Sequence, residues 1–204
     1  MFIVCATDAS QDHNDFTSGG IAYQVEGVEV YPDGSVWSKV YAAQHEFLVY
    51  DDEVSVQVLE LTAIAKAMAV VRQLRLVADL CVYITDSVSA TRDIYGYILH
   101  DTFSAENTYM NRCRKEQLRE IEKLNLQSFI PEHIINIRSH IPAGRWLTAF
   151  SIFNDENNSE YPIELFHKIR QMNNDVDSLA KYARLSGVKA ATSNVEIIPH
   201  QAAY

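Results

Sequence analysis

Between Ser55 and Leu76 the spacing of apolar residues changes from strand-like runs to steps of three and four. Leu61, Ile64, Met68, Val71 and Arg75 line one stripe, with Ala-rich filling between them, which is the signature of a helix face turned toward a core. Apolar strand-like runs bracket it, Phe2 to Ala6 and Gly20 to Gly27 before it and Asp79 to Ile84 after it, and Ser87 to Leu99 reads as a second helix. Strand-helix-strand-helix order predicts an α/β fold in which a sheet is covered by helices.

Three further strands and helices complete the plan. Ser35 to Val49 is a strand entered through the turn Pro32-Asp33-Gly34, Ile134 to Arg138 is a fifth strand, and Asn173 to Leu185 is a final helix opened by Asn residues that cap well. Phe103 to Pro131, which holds a charged helical segment, and Ile141 to Met172 fit no minimal plan. The expectation is one domain over 1–187 with insertions near 103–131 and 141–172, followed by a tail, 188–204, in which Val195 to Ile198 could add an edge strand.

A chain of 204 residues with 48% apolar residues can bury one good core, and no stretch has the eighteen or so apolar residues that span a bilayer. The start, Met1 to Ala6, lacks a basic leader region, so a cytoplasmic or nucleoplasmic, non-secreted protein is expected. Cys5, Cys81 and Cys113 lack metal-type spacing, which argues against a zinc site or a disulfide framework. The formal charge of −10 argues against broad attraction to nucleic acid. A polyanion would have to meet a local basic patch or metal ions.

Two apolar runs end alike, in Thr7-Asp8-Ala9-Ser10 and Thr85-Asp86-Ser87. If the strands are parallel neighbours, both Asp side chains lie at the carboxyl ends, where open α/β sheets place their ligands. Two anions so close need a cation. Taken singly, each Asp also reads as the start of a turn, and Asp86 as an N-cap. Glu60 shares the stripe of Ile64, Ala67 and Val71, and a carboxylate on a core-facing stripe is seldom buried without a partner. Asp177, with Asn174 as N-cap, would occupy the third helical position, and Asp175 competes with it for any role.

Thr7-Asp8-Ala9-Ser10, Leu59-Glu60-Leu61, Thr85-Asp86-Ser87 and Asn174 to Ala180 resemble, in order, the motifs of the ribonuclease H family, and the resemblance spans nearly the whole chain. It implies a ribonuclease H-like mixed five-stranded sheet flanked by helices. It also implies two Mg²⁺ or Mn²⁺ ions on Asp8, Glu60, Asp86 and Asp177, and hydrolysis of phosphodiester bonds, foremost in the RNA strand of RNA–DNA hybrids. Ile137-Arg138-Ser139-His140 looks like the family's strand and loop carrying a histidine on the leaving-group side, which makes His140 a candidate for proton transfer or product release.

Arg112, Arg114, Lys115, Arg119 and Lys123 hold five of the 17 basic residues where some family members carry a basic substrate-binding protrusion. They are the expected backbone-contact patch, although interleaved Glu116, Glu120 and Glu122 equally suit a solvated helix with internal ion pairs. Ser10, Gln57, Ser87 and Arg138 complete the expected nucleic-acid contacts, and Arg145, Lys181 and Arg184 lie near the site in sequence. Family members that grip RNA place small amides just before the helix Glu and two residues after the second Asp. Here Gln57 with Val58, and Val88, hold those places, so discrimination of RNA from DNA is expected to be weaker. A DNA nuclease or resolvase-like enzyme, or a noncatalytic binding or assembly module, are the rival readings.

Overall fold

The computed structural model describes residues 1–100, 108–138, 145–157 and 159–187. In chain order it contains β1 (Phe2–Asp12), β2 (Asp15–Val30), β3 (Val36–Val49), α1 (Val56–Leu74), β4 (Leu80–Thr85), α2 (Val88–His100), α3 (Tyr109–Leu126), β5 (Glu132–Asn136), α4 (Trp146–Asn157) and α5 (Ile163–Ser186). The strands form one mixed sheet in the order β3-β2-β1-β4-β5, with β1 antiparallel to β2 and parallel to β4. The expected edge strand at Val195 to Ile198 lies outside the described residues.

Alternation along the central strands sorts the core into two layers. Ile3, Cys5, Cys81 and Tyr83 face α1, whose Leu61, Ile64, Met68 and Val71 form the expected stripe, with α3 contributing Leu118 and Ile121. Val4, Ala6, Val82 and Ile84 face the other way, onto Leu165, Phe166, Ile169, Met172 and Val176 of α5 and Phe153 of α4. A strand buried on both faces reads as a continuous apolar run, which is how β1 and β4 appear in the sequence.

Gly19 and Gly20 of β2 set how closely the two main helices approach. A Cβ at Gly19 would fall onto Leu59 of α1, and one at Gly20 onto the Ala180 carbonyl and the Arg184 amide of α5. The missing side chains allow both helices to press on the same end of the sheet. That is the end at which Glu60 and Asp177 are carried.

The final helix differs from its expected start. It begins at Ile163 behind Pro162, and it ends at Gly187 in the left-handed conformation. Asn173 and Asn174 are not caps, and Asn173 is buried inside the helix. The apolar period runs back through Ile169, Phe166 and Leu165, so burial of that stripe overrides the capping preference of the Asn pair. The stretch 141–172 therefore contains α4 and the first turns of α5. The charged segment of 103–131 is α3, which buries one face on α1 and is not solvated all round.

Candidate active site

The parallel pairing of β1 with β4 ends at Ala6 opposite Ile84. Beyond it, β1 continues as a hairpin arm with β2, Asp8 standing opposite Ala22, so Asp8 lies inside a strand and not at its end as expected. Thr7 Oγ1 donates to the Ile84 carbonyl at 3.0 Å and closes the gap where the strands part. Asp86 follows the last residue of β4. Ser87 caps the next helix, its Oγ accepting from the Ala90 amide at 3.2 Å, while its own amide donates to Thr85 Oγ1 at 3.1 Å.

Glu60 reaches this fork from α1. Asp8, Glu60 and Asp86 each place a carboxylate oxygen within 4.8 Å of the others, with Asp8 and Glu60 buried and Asp86 half-buried. Thr85 Oγ1 donates to Glu60 Oε2 at 3.3 Å. Burial drives the Asp8 pKa up to about 8, the Asp86 charge adds to the rise, the Ala9 amide opposes it, and the Asp177 carboxyl raises it further. Glu60 is likewise pushed well above the usual carboxylate range, by burial first and then by Asp8 and Asp86. Such a set is stable when some carboxyls hold protons or when a cation is shared among them.

Asp177 approaches from the opposite face on α5, within hydrogen-bonding reach of Asp8, but it stands outside the tight group of three. Its Oδ2 accepts from Lys181 Nζ at 2.7 Å, one helical turn on. Asp175 is exposed, so of the two acidic candidates on this helix Asp177 is the one beside the cluster. The all-oxygen donor set suits a hard divalent ion such as Mg²⁺ or Mn²⁺.

The remaining candidates divide. Gln57 gives its amide to Asp93 Oδ2 of α2 at 2.6 Å, and Arg114 binds the same oxygen through Nε at 3.1 Å and through a second, shorter bond from its Nη2. Asp93 thus ties α1, α2 and α3 together, and the charge of Arg114 is largely engaged in that tie rather than presented as part of an open basic patch. Arg112 is exposed, with its guanidinium 5.9 Å above the Tyr109 ring, Lys115 is half-buried, Arg119 is exposed and Lys123 pairs with Glu120 at 3.1 Å. Ser10 accepts from Arg184 Nε at 3.0 Å, and Arg184 also reaches Asp12 at 3.1 Å. Arg138 pairs with Glu156 of α4. Val58 is fully buried and Val88 is exposed. His140 lies outside the described residues.

Sequence reasoning missed Asp93, which shows no motif and becomes visible only when three helices converge on it. Lys181 carried a usable signal, its four-residue spacing from Asp177.

Neither a protein-family model nor a curated protein matches the chain. Solved structures do. It is similar to LC9-RNase H1, a type 1 RNase H with the type 2 active-site motif, at 11% identity and a TM-score of 0.54, covering 93% of this chain and 74% of that one. RNase H1 from the halophilic archaeon Halobacterium salinarum matches at 14% identity and a TM-score of 0.50, over 92% of this chain and 100% of the other. The foamy viral protease-reverse transcriptase, solved in complex with RNA/DNA hybrid, matches at 12% identity and a TM-score of 0.50, over 89% of this chain and 19% of that one. With the sheet order described above, these similarities establish a ribonuclease H-like fold.

Proposed function

We propose that this chain is a metal-dependent nuclease that hydrolyses phosphodiester bonds, foremost in the RNA strand of an RNA–DNA hybrid. The observation that carries the reading is the meeting of Asp8, Glu60 and Asp86 within 4.8 Å at the fork between β1 and β4. A merely structural role gives no reason to hold three carboxylates there, because each destabilises the charged form of its neighbours.

Asp8, Glu60, Asp86 and Asp177 would hold two Mg²⁺ or Mn²⁺ ions. When bound, such a pair of ions activates the attacking water and stabilises the departing 3′ oxygen. The chain's own groups prepare the site. Thr85 and the Ala9 amide orient Glu60 and Asp8, Lys181 balances the charge of Asp177, and the helices pressed onto Gly19 and Gly20 fix the carboxylates from both sides. His140 is assigned the proton-transfer role on the resemblance of its strand and loop alone. The hybrid as substrate is supported by the complex in which the foamy viral relative was solved.

The test is cleavage by the purified chain, with and without Mg²⁺ or Mn²⁺, of RNA–DNA hybrid, double-stranded RNA, and single- and double-stranded DNA. Metal-dependent cutting of the hybrid's RNA strand, leaving 5′-phosphate ends, is expected. Cutting of DNA alone would move the assignment to a DNA nuclease, and no cutting of any substrate would leave a noncatalytic binding module.

A further inference from the structure

Beside the carboxylates lies a groove of about 600 Å³ between α2, β5 and α4. Val88, Thr91 and Tyr95 line it from α2, Asn136 from β5, Arg138 from just past β5, and Glu156 from α4. It begins next to the site: Val88 is two residues past Asp86, and Asn136 pairs with Thr85 in the next strand and donates to its carbonyl at 3.2 Å. Neighbouring strands are about 4.8 Å apart, so the near end of the groove is roughly one strand away from Asp86.

Most of the groove's polar groups are already satisfied. Asn157 closes the β5 edge by bonding both the amide and the carbonyl of Asn136 at 3.1 Å, Tyr95 donates its hydroxyl to the Ile134 carbonyl at 2.6 Å, and Thr91 donates to the Ser87 carbonyl at 3.1 Å. What remains on offer is an aromatic face on Tyr95, 44% exposed, an apolar side chain on Val88, and a guanidinium on Arg138 that stays 62% exposed while it pairs with Glu156. Arg has five donors, so one carboxylate does not exhaust it. An aromatic face with a cation at its rim matches a nucleobase and its phosphate, and it does so for any base.

We infer that this groove seats one unpaired nucleotide of the cleaved strand next to the scissile phosphate, its base on Tyr95 and its phosphate on Arg138. The inference rests on the nuclease reading for the identity of the strand. Inside a duplex both faces of a base are covered by its neighbours, so a base that stacks on Tyr95 must have left the helix, and the protein would favour a hybrid with an unpaired nucleotide flanking the cut over the same hybrid fully paired. Glu156 acts as a built-in competitor for Arg138 and keeps the subsite weak.

RNA–DNA hybrids carrying 2-aminopurine in the RNA strand, either as a single bulged nucleotide or at successive paired positions, test this in EDTA, where no cleavage occurs. Stacking on the protein should quench fluorescence at the bulged position only. Tyr95→Leu should remove that quench and weaken binding about fivefold or more, while Tyr95→Phe keeps both. Arg138→Gln should weaken binding about three- to tenfold and flatten its salt dependence, and Glu156→Gln should tighten it about two- to fivefold. A flat quench profile, a quench that survives in folded Tyr95→Leu, or weaker binding by Glu156→Gln overturns the groove. These readings need no catalysis: a wild type that cuts nothing with metal but keeps the position-specific quench would sink the nuclease reading and leave the groove standing.

Discussion

Ala6 and Ile84 form the last rung shared by β1 and β4, and two residues beyond each stands an aspartate, Asp8 on one strand and Asp86 on the other. The fork behind that rung lets in Glu60 from α1 and Asp177 from α5. Removing one charge from such a cluster should relieve repulsion while destroying the site. Asp86→Asn is therefore expected to cut metal-dependent cleavage by roughly a hundred- to a thousandfold, the scale of lost electrostatic catalysis, and to leave the metal-free melting temperature unchanged or higher. Full activity in the folded variant would remove Asp86 from the site.

The raised carboxyls make a statement about pH. Asp8 titrates near 8 in the folded chain and near 4 unfolded, so between those values the folded state binds more protons. Its contribution to stability is fully present below the unfolded value and is lost as pH rises through about 8; Glu60 adds in the same direction. Metal-free protein should lose stability on going from pH 5 to pH 8, and saturating Mg²⁺ should cancel most of the loss. Chemical denaturation at several pH values, with and without Mg²⁺, measures it. A metal-free stability that rises over this range would show that the carboxyls are not coupled as described.

Lys181 occupies Asp177 with a tethered cation. An exposed pair of this kind contributes about 0.2 to 1 kcal/mol, so Lys181→Met should tighten metal binding by roughly 1.4- to fivefold if Asp177 is a ligand. Titration calorimetry with Mn²⁺ checks this. Weaker binding would mean that Lys181 positions Asp177 rather than competing for it.

The two halves of the basic segment should separate. Arg114 is engaged with Asp93, so Arg114→Gln is expected to destabilise the α1–α2–α3 junction. Arg112 and Lys115 make no such tie in the described contacts, and neutralising both should weaken substrate binding and reduce its salt slope by about two. An unchanged slope would make α3 a packing helix only.

The residues that were legible in sequence are those whose local pattern agrees with their final role. The β1 and β4 runs are apolar because both faces are buried, and the α1 stripe locates Glu60 because a carboxylate there has few other uses. Asn173 misled because its capping preference is local, whereas the helix start is set by Leu165, Phe166 and Ile169 packing under the sheet. The tie of Arg114 to Asp93 was not legible, because the two lie twenty-one residues apart on different helices. Nothing in the neighbourhood of either residue encodes those contacts.

Substrate choice depends on a similar distinction between neighbours in sequence. Val58 and Val88 both stand where an amide would be expected to read a 2′-hydroxyl, but Val58 is 0% exposed and can meet no sugar, whatever its side chain. Gln57, beside it, already donates to Asp93. Val88, at 56% exposure, is the position open to substrate, directly past Asp86 and at the mouth of the α2–β5–α4 groove. Only one side-chain hydrogen bond is therefore missing there, and one such bond contributes about 0.5 to 1.5 kcal/mol, or roughly 2- to 13-fold in discrimination. Val88→Asn should raise the preference for the RNA strand over DNA by that factor, because the amide supplies both a donor and an acceptor to a sugar that carries the hydroxyl and nothing to one that lacks it. Val58→Asn should instead destabilise the fold by burying an unpaired amide, with no gain in preference. Competition kinetics on matched hybrid and all-DNA duplexes, alongside thermal melts of both variants, measure the two effects. A Val88→Asn protein with unchanged preference would place the sugar contact elsewhere on the chain.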